Sequence, residues 1–137
     1  RDEVVDPQQL TLHNQRYSTF GAEEHFLSFV TQGDKLAGYL RLSLPGPSAP
    51  ETGLPEIQGA ALVREVHIYG QSMELGSEAE GVAQHSGLGV SLMENAEDLA
   101  RDHGYPRIAV IAALGTRGYY KKLGYNLGET YMLKVLD

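Results

Sequence analysis

The feature that most constrains the fold is an amphipathic segment lying between two extended apolar segments. Its apolar residues recur with a helical period and share one stripe: Leu88, Leu92, Met93, Ala96, Leu99 and Ala100. Its polar residues are predicted to face solvent: Glu94, Glu97, Asp98 and Arg101. Residues 57–69 before it and residues 107–113 after it are extended and apolar, which predicts a long strand and a short, buried parallel strand. Such crossovers are right-handed, so we expect the helix to lie over the sheet beside the long strand.

The rest of the chain predicts further strands and a second, shorter helix. The other segments with strand composition are residues 10–17, 26–31, 35–44 and 125–136. A turn at residues 32–34 indicates a hairpin, and proline and glycine in residues 45–55 predict an exposed loop. Residues 70–83 are polar and acidic, which predicts a mobile loop. A short helix is predicted over residues 116–123, and Gly128 should interrupt the last strand.

Size and composition indicate one folded domain over residues 1–137. With 42% hydrophobic and 21% charged residues the chain is of ordinary globular composition, which excludes disordered and collagen-like classes. No stretch approaches the roughly 20 apolar residues that a membrane-spanning helix needs, and residues 1–6 lack a signal-peptide pattern. We therefore expect a soluble domain without membrane contact. Because the chain begins without Met, we also expect it to be excised from a longer protein.

The absence of cysteine removes several kinds of chemistry. A chain with no cysteine has no disulfide, no thiolate zinc site, no iron–sulfur cluster and no cysteine nucleophile of its own. The formal net charge of −7 argues against binding a polyanion by general electrostatics, although a local basic patch stays compatible with it. Any reaction must use oxygen and nitrogen groups or a cofactor.

A glycine-containing turn leads into the predicted helix. In Gln84-His85-Ser86-Gly87-Leu88-Gly89, free backbone N–H groups and the helix dipole meet, which favours a phosphate group, although a plain tight turn explains the glycines equally well. Val90 and Ser91 follow where a P-loop requires Lys and then Ser or Thr, and Leu92 replaces the third glycine of a dinucleotide fingerprint. A different phosphate-bearing ligand is implied.

The same turn resembles a family motif. Gln84-x-x-Gly87-x-Gly89 at the start of a helix is similar to the pyrophosphate-binding motif of the GNAT acetyltransferase superfamily, and residues 115–125, with adjacent tyrosines and a Gly-Tyr turn, are similar to its second motif. More narrowly, residues 64–70, 84–89 and 115–125 together resemble the acetyltransferase-like domain of the Elongator catalytic subunit, the tRNA uridine(34) acetyltransferase family. The resemblance covers nearly the whole chain.

The resemblance implies a fold and a function. The fold would be an α/β (α+β) GNAT fold, a mixed, twisted central sheet with a splayed fourth strand and flanking helices. The domain would bind acetyl-CoA and release its acetyl group for modification of wobble uridine 34 in tRNA. In that family an iron–sulfur cluster and S-adenosylmethionine belong to a preceding radical domain, which this chain lacks. Elongator accessory subunits and a cytoplasmic location are also implied.

The resemblance also assigns site residues. The cofactor-binding residues would be Glu65, Val66, His67, Ile68, Gln84, Gly87, Leu88, Gly89, Val90, Ser91, Tyr119 and Tyr120. An extended pantetheine arm can add to the long strand as a further strand does, through backbone groups. Tyr120 would be catalytic as hydrogen donor to the leaving thiolate, with Tyr119 mainly structural, and Glu65 is the second catalytic candidate. No further ligands lie near Glu65 and His67 in the sequence, so we predict no metal site.

Other interpretations stay open at this point. Glu65, His67 and Tyr69 alternate along the strand and share one face, which an ordinary polar strand face explains too. Both tyrosines can be core anchors. The basic residues that can meet phosphates can equally belong to a solvated surface: Arg107, Arg117, Lys121, Lys122 and Lys134. The competing functions are a protein lysine N-acetyltransferase, with Glu65 or a water as base, and a non-catalytic CoA-binding module that docks partners.

Overall fold

Seven strands form one mixed sheet in the computed structural model, which describes residues 10–69 and 87–137. The strands are β1 (Thr11–Thr19), β2 (Ala22–Val30), β3 (Leu36–Pro45), β4 (Ala61–Ile68), β5 (Arg107–Val110), β6 (Asn126–Leu127) and β7 (Met132–Val135). Their spatial order is β1-β2-β3-β4-β5-β7-β6, with β4 and β5 parallel and the other neighbours antiparallel. The helices are α1 (Leu88–Asp102) and α2 (Arg117–Lys122), with 3-10 turns at Pro55–Ile57 and Leu114–Thr116. No helix in these ranges has the length and apolar character needed to cross a membrane.

The helix predicted from the 3.6-residue period is present as α1. Leu92, Met93, Ala96 and Ala100 are almost completely buried in the main core against the sheet. Burying a leucine or methionine side chain stabilises a fold by about 1.5–3 kcal/mol, so this stripe fixes α1 on the sheet. Gly104, just after the helix, takes a positive φ of 83°, as predicted for its end. The predicted parallel pairing of the strands before and after α1 is confirmed.

One predicted feature of α1 is wrong, since Glu97 is buried and does not face solvent. Its carboxylate accepts hydrogen bonds from the Tyr125 hydroxyl at 2.7 Å and from Lys134 Nζ at 3.1 Å. A carboxylate tolerates burial when it is both paired and hydrogen-bonded. Burial, together with the Glu97 bond, also raises the pKa of Tyr125. The two partners lie far along the chain, so the helical period alone does not reveal them.

The predicted hairpin with its turn at residues 32–34 is present as β2 and β3, and β1 and β2 form a further hairpin that was not predicted. β2 begins at Ala22, and not near residue 26, because a tight turn at residues 20–21 joins it to β1. Gly21 has a φ of 68°, and a Cβ there would lie 2.6 Å from the backbone nitrogen of Ala49. Glu24 interrupts the apolar pattern, yet it is buried because hydroxyl groups of Thr19 and Ser43 donate to it at 3.0 and 2.8 Å.

Three predicted strand ends also differ. The long strand begins at Ala61, because Pro55–Ile57 form a 3-10 turn, and β5 ends at Val110. The last strand is divided into β6 and β7, because the Glu56 carboxylate accepts backbone N–H bonds of 3.0 and 2.9 Å from Glu129 and Thr130 and fixes a turn there. The predicted loop at residues 70–83 lies outside the described residues.

Candidate functional site

The long strand β4 is paired differently along its two halves. Residues 61–63 pair with residues 108–110 of β5, and Leu62 and Val63 also pair with β3 on the other side, whereas β4 continues to Ile68 beside β3 alone. A register shift marks the point of divergence: Arg41 faces Glu65 and Leu42 faces Val63, which leaves Arg64 as an extra residue. Such a bulge bends its strand. Among the described strands, none pairs with the second half of β4 on the β5 side, which leaves a free edge for an extended ligand.

Helix α1 begins close to the end of β4, next to Gly38 of β3. The side chains of Ile68, at the end of β4, and Leu88, at the start of α1, lie close to the same residue of β3. A Cβ on Gly38 would lie 3.1 Å from Ile68 Cδ1 and 3.4 Å from Leu88 Cδ2. Gly87, the N-cap, has a φ of 99°, and no atom of the described residues lies within 4 Å of the position of a Cβ. The first turn contains no acidic residue, and the bond from Ser91 N to Gly87 O opens the helical ladder. The preceding N–H groups therefore suit an anion.

The structure describes most, but not all, of the site residues predicted in and after the glycine turn. Leu88 and Gly89 are buried, and Val90 and Ser91 are half-buried. Gln84, also predicted to bind the cofactor, lies outside the described residues. The structure therefore brings Val66, Ile68 and the start of α1 to one place.

The polar trio predicted on β4 does share a face. Val66 and Ile68 join the core beneath α1, while Glu65, His67 and Tyr69 alternate with them. On that opposite face the His67 ring stacks on Tyr39 of β3, with centroids 5.8 Å apart and an interplanar angle of 13°. The four rings that contact one another there form what we call the aromatic face: Phe26, Tyr39, His67 and Tyr69.

Glu65 is held by two residues of β3 that the sequence analysis did not single out. The Tyr39 hydroxyl donates to Glu65 Oε2 at 2.6 Å, and Arg41 Nη1 donates to Oε1 at 3.4 Å. The Tyr39 bond and, less strongly, Arg41 hold the pKa of the Glu65 carboxyl below its usual range. The same bond raises the pKa of Tyr39 to about 12. Glu65 is therefore a stable carboxylate and a weak base. These three residues are brought together by the pairing register of β3 and β4, which the sequence alone does not reveal.

The two adjacent tyrosines of α2 are both packed. Tyr120 is 5% exposed and lies edge-to-face against Tyr119 and Tyr125, at centroid distances of 5.1 and 5.9 Å. Tyr119 packs against the same core, and burial raises its pKa to about 12, so its phenol retains the proton. The assignment of Tyr120 as thiolate donor and Tyr119 as structural residue stays a prediction.

The basic residues near the site fall into two groups. Arg107 is used within the fold, since it donates to the carbonyl oxygens of Glu56, at 2.6 Å, and Gln58, and Lys134 pairs with Glu97. In contrast, the buried Arg117 Nε has no hydrogen-bond partner within the described ranges. Lys122 and Lys134 both line a cavity of about 250 Å³, together with Val90, Glu94 and Glu97 of α1. Arg117 is thus better placed than Arg107 to meet a phosphate-bearing ligand, and Lys122 and Lys134 share one cavity.

The apolar end of β5 completes the site. Ile111 and Leu114 follow directly after β5 diverges from β4, and they are 57% and 80% exposed. Within residues 10–69 and 87–137, a strand edge without a partner strand, an open helix start, a guanidinium nitrogen without a hydrogen-bond partner and an apolar wall fit an extended ligand with amide groups at one end and phosphates at the other. Coenzyme A is such a ligand.

Comparison with known proteins agrees with this geometry. The profile of the acetyltransferase (GNAT) family matches residues 2–125, so the chain belongs to the GNAT acetyltransferase family. This membership implies acyl transfer with acetyl-CoA as donor, and it confirms the GNAT fold expected from the sequence.

Three individual proteins show which members of the GNAT family the chain resembles. The chain is 44% identical to "tRNA uridine(34) acetyltransferase" of Dehalococcoides mccartyi and 42% identical to "Elongator complex protein 3" of Danio rerio, over 93% and 96% of its own length. It spans 28% and 24% of those proteins, about a quarter of their length. Its fold matches the archaeal Methanocaldococcus infernus Elp3 with a TM-score of 0.74 and 32% identity, covering 96% of this chain and 31% of that one. The predicted resemblance to the Elongator catalytic subunit is confirmed.

Proposed function

We propose that this chain is the acetyl-CoA-binding, acetyl-releasing domain of an enzyme that modifies wobble uridine 34 of tRNA. The observation that carries the proposal is the free edge of β4 beside the open start of α1, in a chain 44% identical to a protein named for acetyl transfer to uridine 34. The chain spans about a quarter of such relatives, so the proposed whole enzyme contains further domains.

Binding is proposed to use backbone groups at two places. The amides of the pantetheine arm pair with the backbone of residues 65–68, where β4 has no β5 partner. The pyrophosphate meets the N–H groups of residues 87–90, because the N–H of Ser91 already bonds the carbonyl oxygen of Gly87 and the absence of an acidic first turn leaves the positive end of the helix dipole uncompensated. Gln84 and the unpartnered Arg117 Nε are proposed to add side-chain contacts.

Acetyl release is proposed to depend on a tyrosine of α2. Bound acetyl-CoA supplies a thioester whose sulfur leaves as a thiolate, and a phenol that keeps its proton can donate a hydrogen bond to it. Tyr120 is the proposed donor. Tyr119, against which it packs edge-to-face, would hold its ring in place.

The rest of the reaction is proposed to lie outside this chain. With no cysteine, the chain holds no iron–sulfur cluster, and the proposed cluster and S-adenosylmethionine belong to another domain of the full-length enzyme. The net charge of −7 makes tRNA binding by this domain alone weak, so we expect tRNA and any Elongator accessory subunits to contact the full-length protein, in the cytoplasm.

The ionised state of Glu65 separates this proposal from a lysine N-acetyltransferase. A base that takes a proton from an ammonium group works best with a pKa near the working pH, and Tyr39 and Arg41 shift the pKa of Glu65 the other way. Glu65 is better suited to position a polar group on the aromatic face than to act as that base.

Hydrolysis of acetyl-CoA tests the proposal. It is measured for the chain alone and for the full-length enzyme, each with and without tRNA and with lysine peptides. We expect tRNA to stimulate release by the full-length enzyme, and no turnover on the peptides. Turnover on lysine peptides that tRNA does not alter would contradict the proposal. Acetyl-CoA binding without release in any sample would instead indicate a docking module.

A further inference from the structure

We infer that Glu23, His25 and His103 form a binding site for a divalent transition metal ion, Zn²⁺ above all. Glu23 and His25 lie on β2, and His103 is the C-cap of α1, at the end opposite the glycine turn. One ligand atom from each of the three lies within 4.8 Å of the others. The site is separate from the proposed acetyl-CoA site, because the 15 residues of α1 span about 22 Å.

Both histidines aim the same ring nitrogen at the same oxygen. Nε2 of His25 lies 2.6 Å from Glu23 Oε2, and Nε2 of His103 lies 3.0 Å from it. Arg16 Nη1 lies 3.6 Å from the other carboxylate oxygen, Oε1, and leaves Oε2 to the histidines. Three donor atoms therefore converge on one point.

The other ring nitrogens have the partners that metal-binding histidines have. His103 Nδ1 lies 2.8 Å from the carbonyl oxygen of Leu99, and His25 Nδ1 lies 2.9 Å from Asn14 Oδ1. A carbonyl oxygen only accepts, so the hydrogen of the neutral His103 ring lies on Nδ1 and the lone pair of Nε2 points at Glu23. Lone pairs that face each other at 3.0 Å repel unless a cation, a proton or a metal ion, lies between them. Ligating histidines in proteins are oriented by this kind of outer bond.

The donor set and its exposure indicate the kind of ion. Two imidazole nitrogens and one carboxylate oxygen are ligands typical of Zn²⁺, and less of Ca²⁺ or Mg²⁺, which prefer oxygen alone. The His25 side chain is 4% exposed, whereas those of Glu23 and His103 are 29% and 37% exposed. The site therefore has one rigid ligand and an open side for entry of the ion and for a water as fourth ligand.

The inference departs from the prediction that the chain has no metal site. That prediction rested on the absence of further ligands close in sequence to Glu65 and His67. Here the fold brings His103 to the two ligands of β2 from the far end of α1. A bound ion would tie the end of α1 to the sheet, so we expect it to raise stability without altering acetyl transfer.

Metal titration tests the site. The chain is treated with EDTA, dialysed and titrated with ZnCl₂ in a calorimeter. Co²⁺ is added in parallel, because Co²⁺ in a four-coordinate site absorbs visible light much more strongly than hydrated Co²⁺ does. We expect one ion per chain and a thermal midpoint raised by roughly 10 °C at a hundredfold excess over Kd. His103→Gln should weaken Zn²⁺ binding by about 100-fold while keeping the fold.

A matched variant controls for histidine content. His13 is exposed on β1 and belongs to no such cluster among the described residues, so His13→Gln should bind Zn²⁺ like the unaltered chain. Circular dichroism checks that both variants are folded. The inference is overturned if the unaltered chain binds no Zn²⁺, or if His103→Gln binds it as tightly as His13→Gln does.

Discussion

The two halves of β4 belong to the same strand but differ in almost every physical property. Residues 61–63 are apolar, at most 8% exposed and paired with β5, and Leu62 and Val63 are also paired with β3. Residues 65–68 alternate polar and apolar side chains and, among the described strands, pair with β3 alone. The extra residue Arg64 separates the halves. The first half fixes the strand in the core, and the second half presents a backbone edge whose hydrogen bonds are left for water or a ligand. Stability and ligand binding should therefore respond to different mutations.

The largest expected effect is loss of acetyl-CoA binding in Gly89→Glu. The variant places a side chain and a negative charge at the buried helix start, where the pyrophosphate is proposed to bind. We expect the acetyl-CoA affinity measured by calorimetry to fall by at least about 100-fold. Because each 1.4 kcal/mol of binding free energy is a tenfold change in affinity, this is a loss of about 2.8 kcal/mol.

Two further variants separate binding from folding in that test. Ser91→Glu adds the charge at a half-buried position where an acidic residue favours the helix, so affinity should fall while stability is kept. Val135→Glu adds the same charge at a 73% exposed position on β7 and should bind normally. Unchanged affinity in folded Gly89→Glu and Ser91→Glu would remove the phosphate assignment.

The next effect concerns the proposed donor in α2. Tyr120→Phe removes one hydroxyl and keeps the ring that packs on Tyr119 and Tyr125, so fold and affinity should persist. Acetyl release by the full-length enzyme with tRNA should fall by roughly 10- to 1000-fold. Tyr119→Phe is the matched control and should be much less affected. If Tyr119→Phe is the impaired variant, the two roles are exchanged, and if both are fully active, neither tyrosine is catalytic.

A matched pair of truncations sharpens the comparison between the halves. Val63→Ala removes two methyl groups from a 2% exposed site, which should lower the free energy of unfolding by about 2 kcal/mol. Val66→Ala is the same change in the half-buried second half and should cost about 1 kcal/mol. Urea unfolding measures both. An equal or larger cost at Val66 would show that the second half is as much part of the core as the first.

The smallest effect is expected on the aromatic face. Tyr39→Phe removes the hydrogen bond to Glu65 and should cost at most about 1 kcal/mol. Because that bond lowers the pKa of Glu65 from 4.5, its contribution is present above that pH and disappears as the pH falls through the lowered value. The difference in unfolding free energy between Tyr39→Phe and the unaltered chain should therefore shrink in acid. A difference that grows in acid would contradict this account of Glu65.

The elements that rest on a regular period were predictable from the sequence. α1, the strands around it and the shared face of Glu65, His67 and Tyr69 follow from spacing along one segment. What could not be predicted depends on partners far along the chain. Glu97 is buried because Tyr125 and Lys134 meet it, and Tyr39 reaches Glu65 only through the β3–β4 register.

The point where β4 diverges from β5 could not be predicted from the sequence either. The apolar and polar halves of β4 are visible in the sequence, but the bulge at Arg64 is not, because it is defined by pairing with β3. The family resemblance implied a splayed fourth strand, and the sheet pairing gives its position, after Val63.

Amide hydrogen exchange of β4 with and without acetyl-CoA tests the central claim most directly. Amides of residues 62–63 are already in a ladder between β3 and β5, so their exchange should be slow in both states. Amides of residues 65–68 that point away from β3 should exchange faster in the free chain and become protected when acetyl-CoA is added, together with those of residues 88–90. If acetyl-CoA binds but leaves the exchange of residues 65–68 unchanged, the ligand does not use the free edge of β4, and the account of the site is wrong.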